Sequence, residues 1–295
     1  MKSNTKGAFL VSLCMFLRST DVFFRKTSLL IFPPLVLVMM EHLIGSLFLL
    51  PRIKKIRSVF KLSFSEKISL AFVACGTSVG GVLCFTHAFN YMNPAIVILL
   101  QKLQPVVTIL LSFFILGERP RRFFWPLAPV IIISGYVLSF GLKSPLNLRG
   151  TIEFYGVLFS LLSVLFWGAG AVFGKKLLQK INYLDLVTVR YIGGFLFTLI
   201  LLFVLDNRFV VAPLKNYLPI IYMALVPGLL ALVFYYKGLS HISATLSSLL
   251  ELLFPLSSAL IVWFFLGVKM TVVQIIAAVI LLFCVTLLSL LKPVR

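Results

Sequence analysis

Acidic side chains are scarce in this sequence: Asp and Glu together number eight among 295 residues, and all charged residues make up 12% of the chain. Soluble domains carry about 25% charged residues, so a water-facing shell around an apolar core is excluded for most of the chain. Histidine is also sparse, and His42, His87 and His241 do not combine with acidic residues into the convergent set that a lipid-acting membrane enzyme would need at one interface. Cys14, Cys75, Cys84 and Cys284 stand scattered in apolar stretches without CxxC or Cys/His spacing. Neither a disulfide framework nor a metal site is indicated, and no cofactor is expected. A GxxxxGK[ST] loop is missing as well, so energy from bound ATP is not indicated.

What is present is apolar. Hydrophobic residues make up 61% of the chain, and the mean hydropathy is +1.11. Runs long enough to cross a bilayer fall at 7–24, 34–51, 67–89, 94–116, 123–142, 153–174, 184–205, 217–238, 242–266 and 271–291. This reads as an all-α membrane protein of ten transmembrane helices, with the lipid bilayer as its first partner. The net charge of +19 does not point to nucleic acid, because the basic residues sit between the apolar runs instead of clustering on one surface. For an N-terminus on the inner side, 16 Lys and Arg fall in inner loops and 7 in outer loops. Both termini are therefore expected to be cytoplasmic, with Arg52 to Lys67 the strongest contribution. Lys2 and Lys6 precede an apolar run as they would in a signal peptide, but Arg18 and Asp21 interrupt it, so it reads as a retained first span. The compact length favours a bacterial inner membrane.

Sliding the sequence against itself reveals a repeat at an offset of 150 residues. Phe16, Val22, Phe23 and Lys26 fall on Phe166, Val172, Phe173 and Lys176. Leu99, Leu103, Pro105, Leu110, Phe114, Leu116 and Gly117 fall on Leu249, Leu253, Pro255, Leu260, Phe264, Leu266 and Gly267. A shared mid-helix proline and a shared terminal glycine are rarer coincidences than shared leucines, so we read two five-helix units, 1–145 and 151–295. Five is odd, so the second unit starts on the opposite side of the membrane and the two are inverted. Inverted repeats with a midplane site between them are a common construction of secondary transporters.

The stretch Ala88-Phe89-Asn90-Tyr91-Met92-Asn93-Pro94-Ala95, running into Leu103-Gln104-Pro105 and closing with Leu116-Gly117-Glu118, resembles the drug/metabolite transporter superfamily, in particular its EamA-type ten-helix members. Gly238 to Thr245, Phe254-Pro255 and Leu266-Gly267 form the second copy, with Phe166-Trp167-Gly168 as the aromatic-glycine start of a repeat and Arg190 as the arginine of a repeat's second helix. Departures are Val268, where the first copy has Glu118, and Met40-Glu41-His42, where the second has Arg190-Tyr191-Ile192. The resemblance implies a secondary transporter of a small metabolite or drug-like solute, working by alternating access between the halves. It does not choose the solute. A non-transporting membrane scaffold and a lipid-acting membrane enzyme are the alternatives.

Ionisable groups inside a bilayer call for a cavity or a partner. Gln101 and Gln104 share a helix face at i, i+3, and Glu251 occupies the repeat position of Gln101. These three are substrate-binding candidates, weighed against simple interhelical hydrogen bonding between the fourth and ninth spans. Trp167, Tyr191, Tyr235 and Tyr236 are candidate stacking groups for a heterocyclic solute. Asp21, Glu41, Lys102 and Arg190 are candidates for coupling or gating, with Glu41 and Glu251 as possible proton carriers. Arg18, Asp21 and Arg25 lie on one stripe, which also reads as a self-neutralised patch near the outer interface. Pro105 and Pro255 remove mid-helix hydrogen bonds and are candidate hinges. A proton or an exchange solute as a further partner, and a homodimeric state, stay open.

Overall fold

The computed structural model describes residues 2–116, 123–142, 151–205, 210–239, 241, 250, 253–267 and 270–290, and no strand occurs among them. Seven helical runs are long and apolar enough to cross a membrane: α1 (Thr5–Ser28), α2 (Pro34–Lys54), α3 (Phe64–Tyr91), α4 (Pro94–Ile115), α6 (Ile152–Gly174), α7 (Tyr183–Val204) and α8 (Leu214–Gly238). Between and after them stand α5 (Phe124–Phe140), α9 (Leu253–Leu266) and α10 (Val272–Leu290). The apolar parts of α5 and α10 are shorter, Phe124–Phe140 and Val272–Leu287. At 1.5 Å per residue they reach about 25 Å, just under a hydrocarbon core of about 30 Å. The expected ninth span is described only from Leu253 onward, apart from residue 250.

Local chemistry explains where the helices begin and bend. Asn93 accepts a hydrogen bond from the Ala95 amide, with Pro94 in the first helical turn, and Asn182 accepts from Leu184. Ser63 and Glu66 close a reciprocal capping box at the start of α3. The charged first segment is helical but breaks at Thr20, where the hydroxyls of Ser19 and Thr20 donate to the carbonyls of Phe16 and Leu17. Gly267 holds φ +60 at the end of α9, a left-handed conformation open to glycine at no steric cost.

Two π-helical stretches interrupt α3 and α8, at Phe72–Gly80 and Ala224–Leu230. Shifted by 150 residues the first falls on 222–230, so the irregularity is repeated along with the sequence. π turns are rare and concentrate at functional sites because they turn backbone groups off the helical ladder. In α3 the Thr77 carbonyl accepts a hydrogen bond from Trp167 Nε1 at 3.1 Å. In α8 Pro227, which has no N–H, lies inside the stretch.

Packing between the copies is reciprocal. α1 packs on α8 and α9, while their repeat equivalents pair the same way, α6 on α3 and α4; α2 packs on α7 and α5 on α10. Exchanging first-copy for second-copy helices leaves this set of pairs unchanged. Outward faces are apolar, as with Ile132 and Ile133 on α5 and Ile276, Val279 and Phe283 on α10. In water such faces would be a liability; in a bilayer they meet lipid.

Candidate functional site

The part of α1 after the Thr20 break brings Asp21 and Arg25 one above the other at i, i+4. Arg25 Nε and Nη2 donate to the two oxygens of Asp21 at 2.7 and 2.9 Å. Nη2 also donates to Glu41 Oε2 of α2 at 3.0 Å, and Nη1 to Thr86 Oγ1 of α3 at 2.8 Å. Arg25 is 4% exposed and Glu41 9%, so water contributes little to this network. The guanidinium fork suits such a junction because its donors diverge within one plane. Glu41 Oε1 lies 3.0 Å from Nη1 as an ion pair, yet it is buried without an aligned hydrogen bond. Arg25 follows directly on the apolar run 7–24, and the structure places it at the centre of a buried network. Of the stripe Arg18, Asp21 and Arg25, only Asp21 and Arg25 form an ion pair among the described residues.

A second polar group lies across the α2–α7 crossing. Arg190 Nε donates to Ser78 Oγ in the π stretch of α3 at 2.8 Å, and Nη1 donates to Tyr236 of α8 at 3.2 Å. Tyr191 is buried and packs its ring on Gly45, while the His42 ring packs on Gly194 and lies 5.6 Å from that of Tyr191. His42 Nδ1 is 2.8 Å from the Val38 carbonyl. His42 follows Glu41 on α2 and Tyr191 follows Arg190 on α7, so the ring contact between them joins the two groups across the crossing.

The other sequence candidates are spread around it. Gln101 donates to the Val97 carbonyl of its own helix at 3.3 Å and accepts from Ser163 of α6 at 3.4 Å. Gln104 is half-buried after the single 3-10 turn Gln101–Leu103, and Pro105 follows within α4. Lys102 Nζ sits 5.9 Å from the Phe254 ring centroid, joining α4 to α9. Tyr235 meets Tyr236 edge-on at 5.4 Å and packs beside Cys14 and Met15. Pro255 is within α9, and Glu251 lies outside the described residues.

Sequence reasoning passed over the hydroxyl partners: Thr86 and Ser78 above, and the 2.8 Å contact between Thr20 and Tyr222 that joins α1 to α8. It also passed over Asp185, which accepts from Ser58 at 2.8 Å and Arg52 at 3.3 Å and ties the link after α2 to the first turn of α7. Mid-helix Ser and Thr carry little sequence signal, because a back-bond to the preceding turn satisfies them equally well. An apolar crevice of about 270 Å³, lined by Met40, Leu43, Ile44, Tyr217, Ile220 and Ile221, opens between α2 and the start of α8.

Charged groups buried where two copies of one helical unit meet, in a chain with apolar outer faces, define the class of integral membrane transporters. The sequence model of the EamA-like transporter family matches twice, over residues 5–141 and 154–290, and the chain belongs to that family. It is 29% identical to the riboflavin transporter ImpX of Fusobacterium nucleatum subsp. nucleatum, over 98% of this chain and 99% of the relative. It is 26% identical to the uncharacterized transporter YdeK of Bacillus subtilis, over 72% of this chain and 76% of that one. A solved crystal structure at 16% identity covers 95% of both chains with a TM-score of 0.64, a likeness of fold.

Proposed function

We propose that this transporter is a secondary carrier of a flat heteroaromatic solute of the riboflavin kind, moved by alternating access between the units 1–145 and 151–295. In this reading ten spans form two inverted five-helix repeats in a bacterial inner membrane, with both termini cytoplasmic. The observation that carries it is the reciprocal packing of the copies with polar side chains bridging them: Arg190 to Ser78, Trp167 to Thr77 and Thr20 to Tyr222. Such bonds are few and exchangeable, which suits two halves that must separate on each side in turn. Full-length similarity to a riboflavin transporter supports the solute class, as do the aromatic groups Trp167, Tyr191, Tyr235 and Tyr236, of which Tyr236 accepts from Arg190. Gln101, Gln104 and Glu251 would line the path, Asp21, Glu41, Lys102 and Arg190 would couple or gate it, and Pro105 and Pro255 would act as hinges.

Purified protein in liposomes should take up riboflavin, and binding should quench flavin fluorescence by aromatic stacking. Tyr236→Ala should weaken both. Uptake and quenching equal to protein-free liposomes would reject the solute class.

A further inference from the structure

We propose that Glu41, within the Asp21–Arg25–Glu41 network, is the proton-binding site of the transport cycle, one proton per chain. The inference deepens the transporter reading and rests on it only for the word cycle; the proton site itself is a property of the buried network.

The charges do not balance. One guanidinium faces two carboxylates, a net charge of −1 if both are ionised, in a place where Arg25 and Glu41 are almost wholly out of water. Asp21 has the better share, with two donors from Arg25, one to each oxygen. Glu41 has one aligned donor, to Oε2, and Oε1 has none. An ionised carboxylate can accept about four hydrogen bonds, and burial without them costs several kcal/mol. A proton on Glu41 makes the triad neutral and removes the charge from the carboxylate that has the fewer donors.

Among the described residues no neighbour donates a hydrogen bond to Oε1. From α1 the network is faced by Asp21 and Arg25, with the cation Arg18 one turn before Asp21 but outside the ion pairs, while Lys26 donates to the Phe89 carbonyl. From α3 comes the neutral hydroxyl of Thr86, already donating to Val82, and His87 stacks on Phe159 of α6. From α7 come Tyr191, a neutral phenol, and Arg190, whose hydrogen bonds go to Ser78 and Tyr236. From α8 comes Tyr222, bound to Thr20. His42, on α2 itself, is turned to Val38 and Tyr191. Arg52, in the last turn of α2, pairs with Asp185.

The repeat argues for one such site. At an offset of 150, Asp21, Arg25, Glu41 and Thr86 correspond to Ala171, Lys175, Tyr191 and Tyr236. The second copy keeps a cation and hydroxyls but has no carboxylate at these positions. The carboxylates therefore lie on one side of the seam only, and Tyr191 holds the position equivalent to Glu41 on the other. Binding and loss of the proton changes the charge facing α7 and can bias how α2 sits on it. The proton comes from the aqueous phase on the open side and leaves to the other; no redox step is involved.

Infrared spectroscopy of the protein in liposomes, without solute, tests this directly. Wild type should show a protonated-carboxyl C=O band that titrates reversibly, is lost in Glu41→Gln and changes frequency in Glu41→Asp. Absence of a titrating band in wild type, or its survival unchanged in both variants, overturns the proposal. In a second arm, an inward proton gradient should raise riboflavin accumulation at least several-fold in wild type and have no effect in Glu41→Gln; an undiminished gradient response in that variant overturns the proposal. Riboflavin transport without the band would refute the proton site and leave the carrier reading intact. The band without riboflavin transport would refute the solute class and leave the proton site standing.

Discussion

Alanine at Gly45 is the sharpest test of the α2–α7 crossing. A Cβ there would stand 2.3 Å from both Cδ1 and Cε1 of Tyr191 and 3.1 Å from Cζ. Carbon atoms in contact prefer about 3.5–4.0 Å, so the overlap exceeds about 1 Å on two atoms. The ring has little room to retreat, because Leu49, Val187, Leu229, Leu232 and Tyr236 surround it and its hydroxyl lies close over Gly228. Overpacking of this kind costs about 1–3 kcal/mol, offset by about 0.5–1 kcal/mol from replacing a mid-helix glycine with alanine. The net expectation is a loss of about 1–2 kcal/mol. In a Tyr191→Leu background the obstructing ring is gone, and the penalty should shrink by about 1 kcal/mol as a coupling between the two sites. Gly174→Ala is the control: nothing stands within 4 Å of its Cβ, so that variant should be as stable as wild type or slightly more so. Unfolding in mixed micelles by titration with a denaturing detergent, followed by tryptophan fluorescence, measures all of these. Gly45→Ala as stable as wild type, or equally damaging with and without the Tyr191 ring, would refute the crossing geometry.

Asp185→Ala should cost about 1–3 kcal/mol, because it strips partners from Ser58 and Arg52, whereas Arg52→Ala, at a partly exposed pair, should cost about 1 kcal/mol or less; the same unfolding assay reads the order. Trp167→Phe keeps the ring on Gly81 but leaves the Thr77 carbonyl without its donor, a loss of about 1 kcal/mol visible as a lower melting temperature. Arg190→Lys keeps the charge but cannot span Ser78 and Tyr236 with a fork, so riboflavin uptake should fall further than in Tyr236→Phe, which gives up only the 3.2 Å bond. Equal uptake in those two variants would argue against a bridging role for Arg190.

Much of this molecule was readable before any coordinates. Hydropathy marked the apolar segments because a bilayer demands that every backbone group be satisfied within the helix, which leaves long apolar runs as the record. The offset of 150 marked the duplication, which the family's two matched stretches bear out. The helix starts at Asn93-Pro94 and at the Ser63/Glu66 box are local chemistry between residues three or fewer apart, a signal present in the sequence that the reading above left unused. Glu41 and Arg190 stood out because an ionisable group in an apolar run is expensive and therefore rare.

Tertiary structure decided which of those groups meet. Arg25 joins Asp21 in its own helix to Glu41 and Thr86, 16 and 61 residues away, and no periodicity links positions in three different helices. The π stretches at Phe72–Gly80 and Ala224–Leu230 likewise have no composition of their own. They differ from α-helix only in hydrogen-bond register, and contacts such as Trp167 on the Thr77 carbonyl arise only when a second helix is laid against them. Sequence thus specifies the solvent each helix expects, which depends on residues near one another in the chain, and the duplication, which a fixed offset reveals. Partners for the buried charges depend on how helices distant in the chain are brought together, and packing alone settles that.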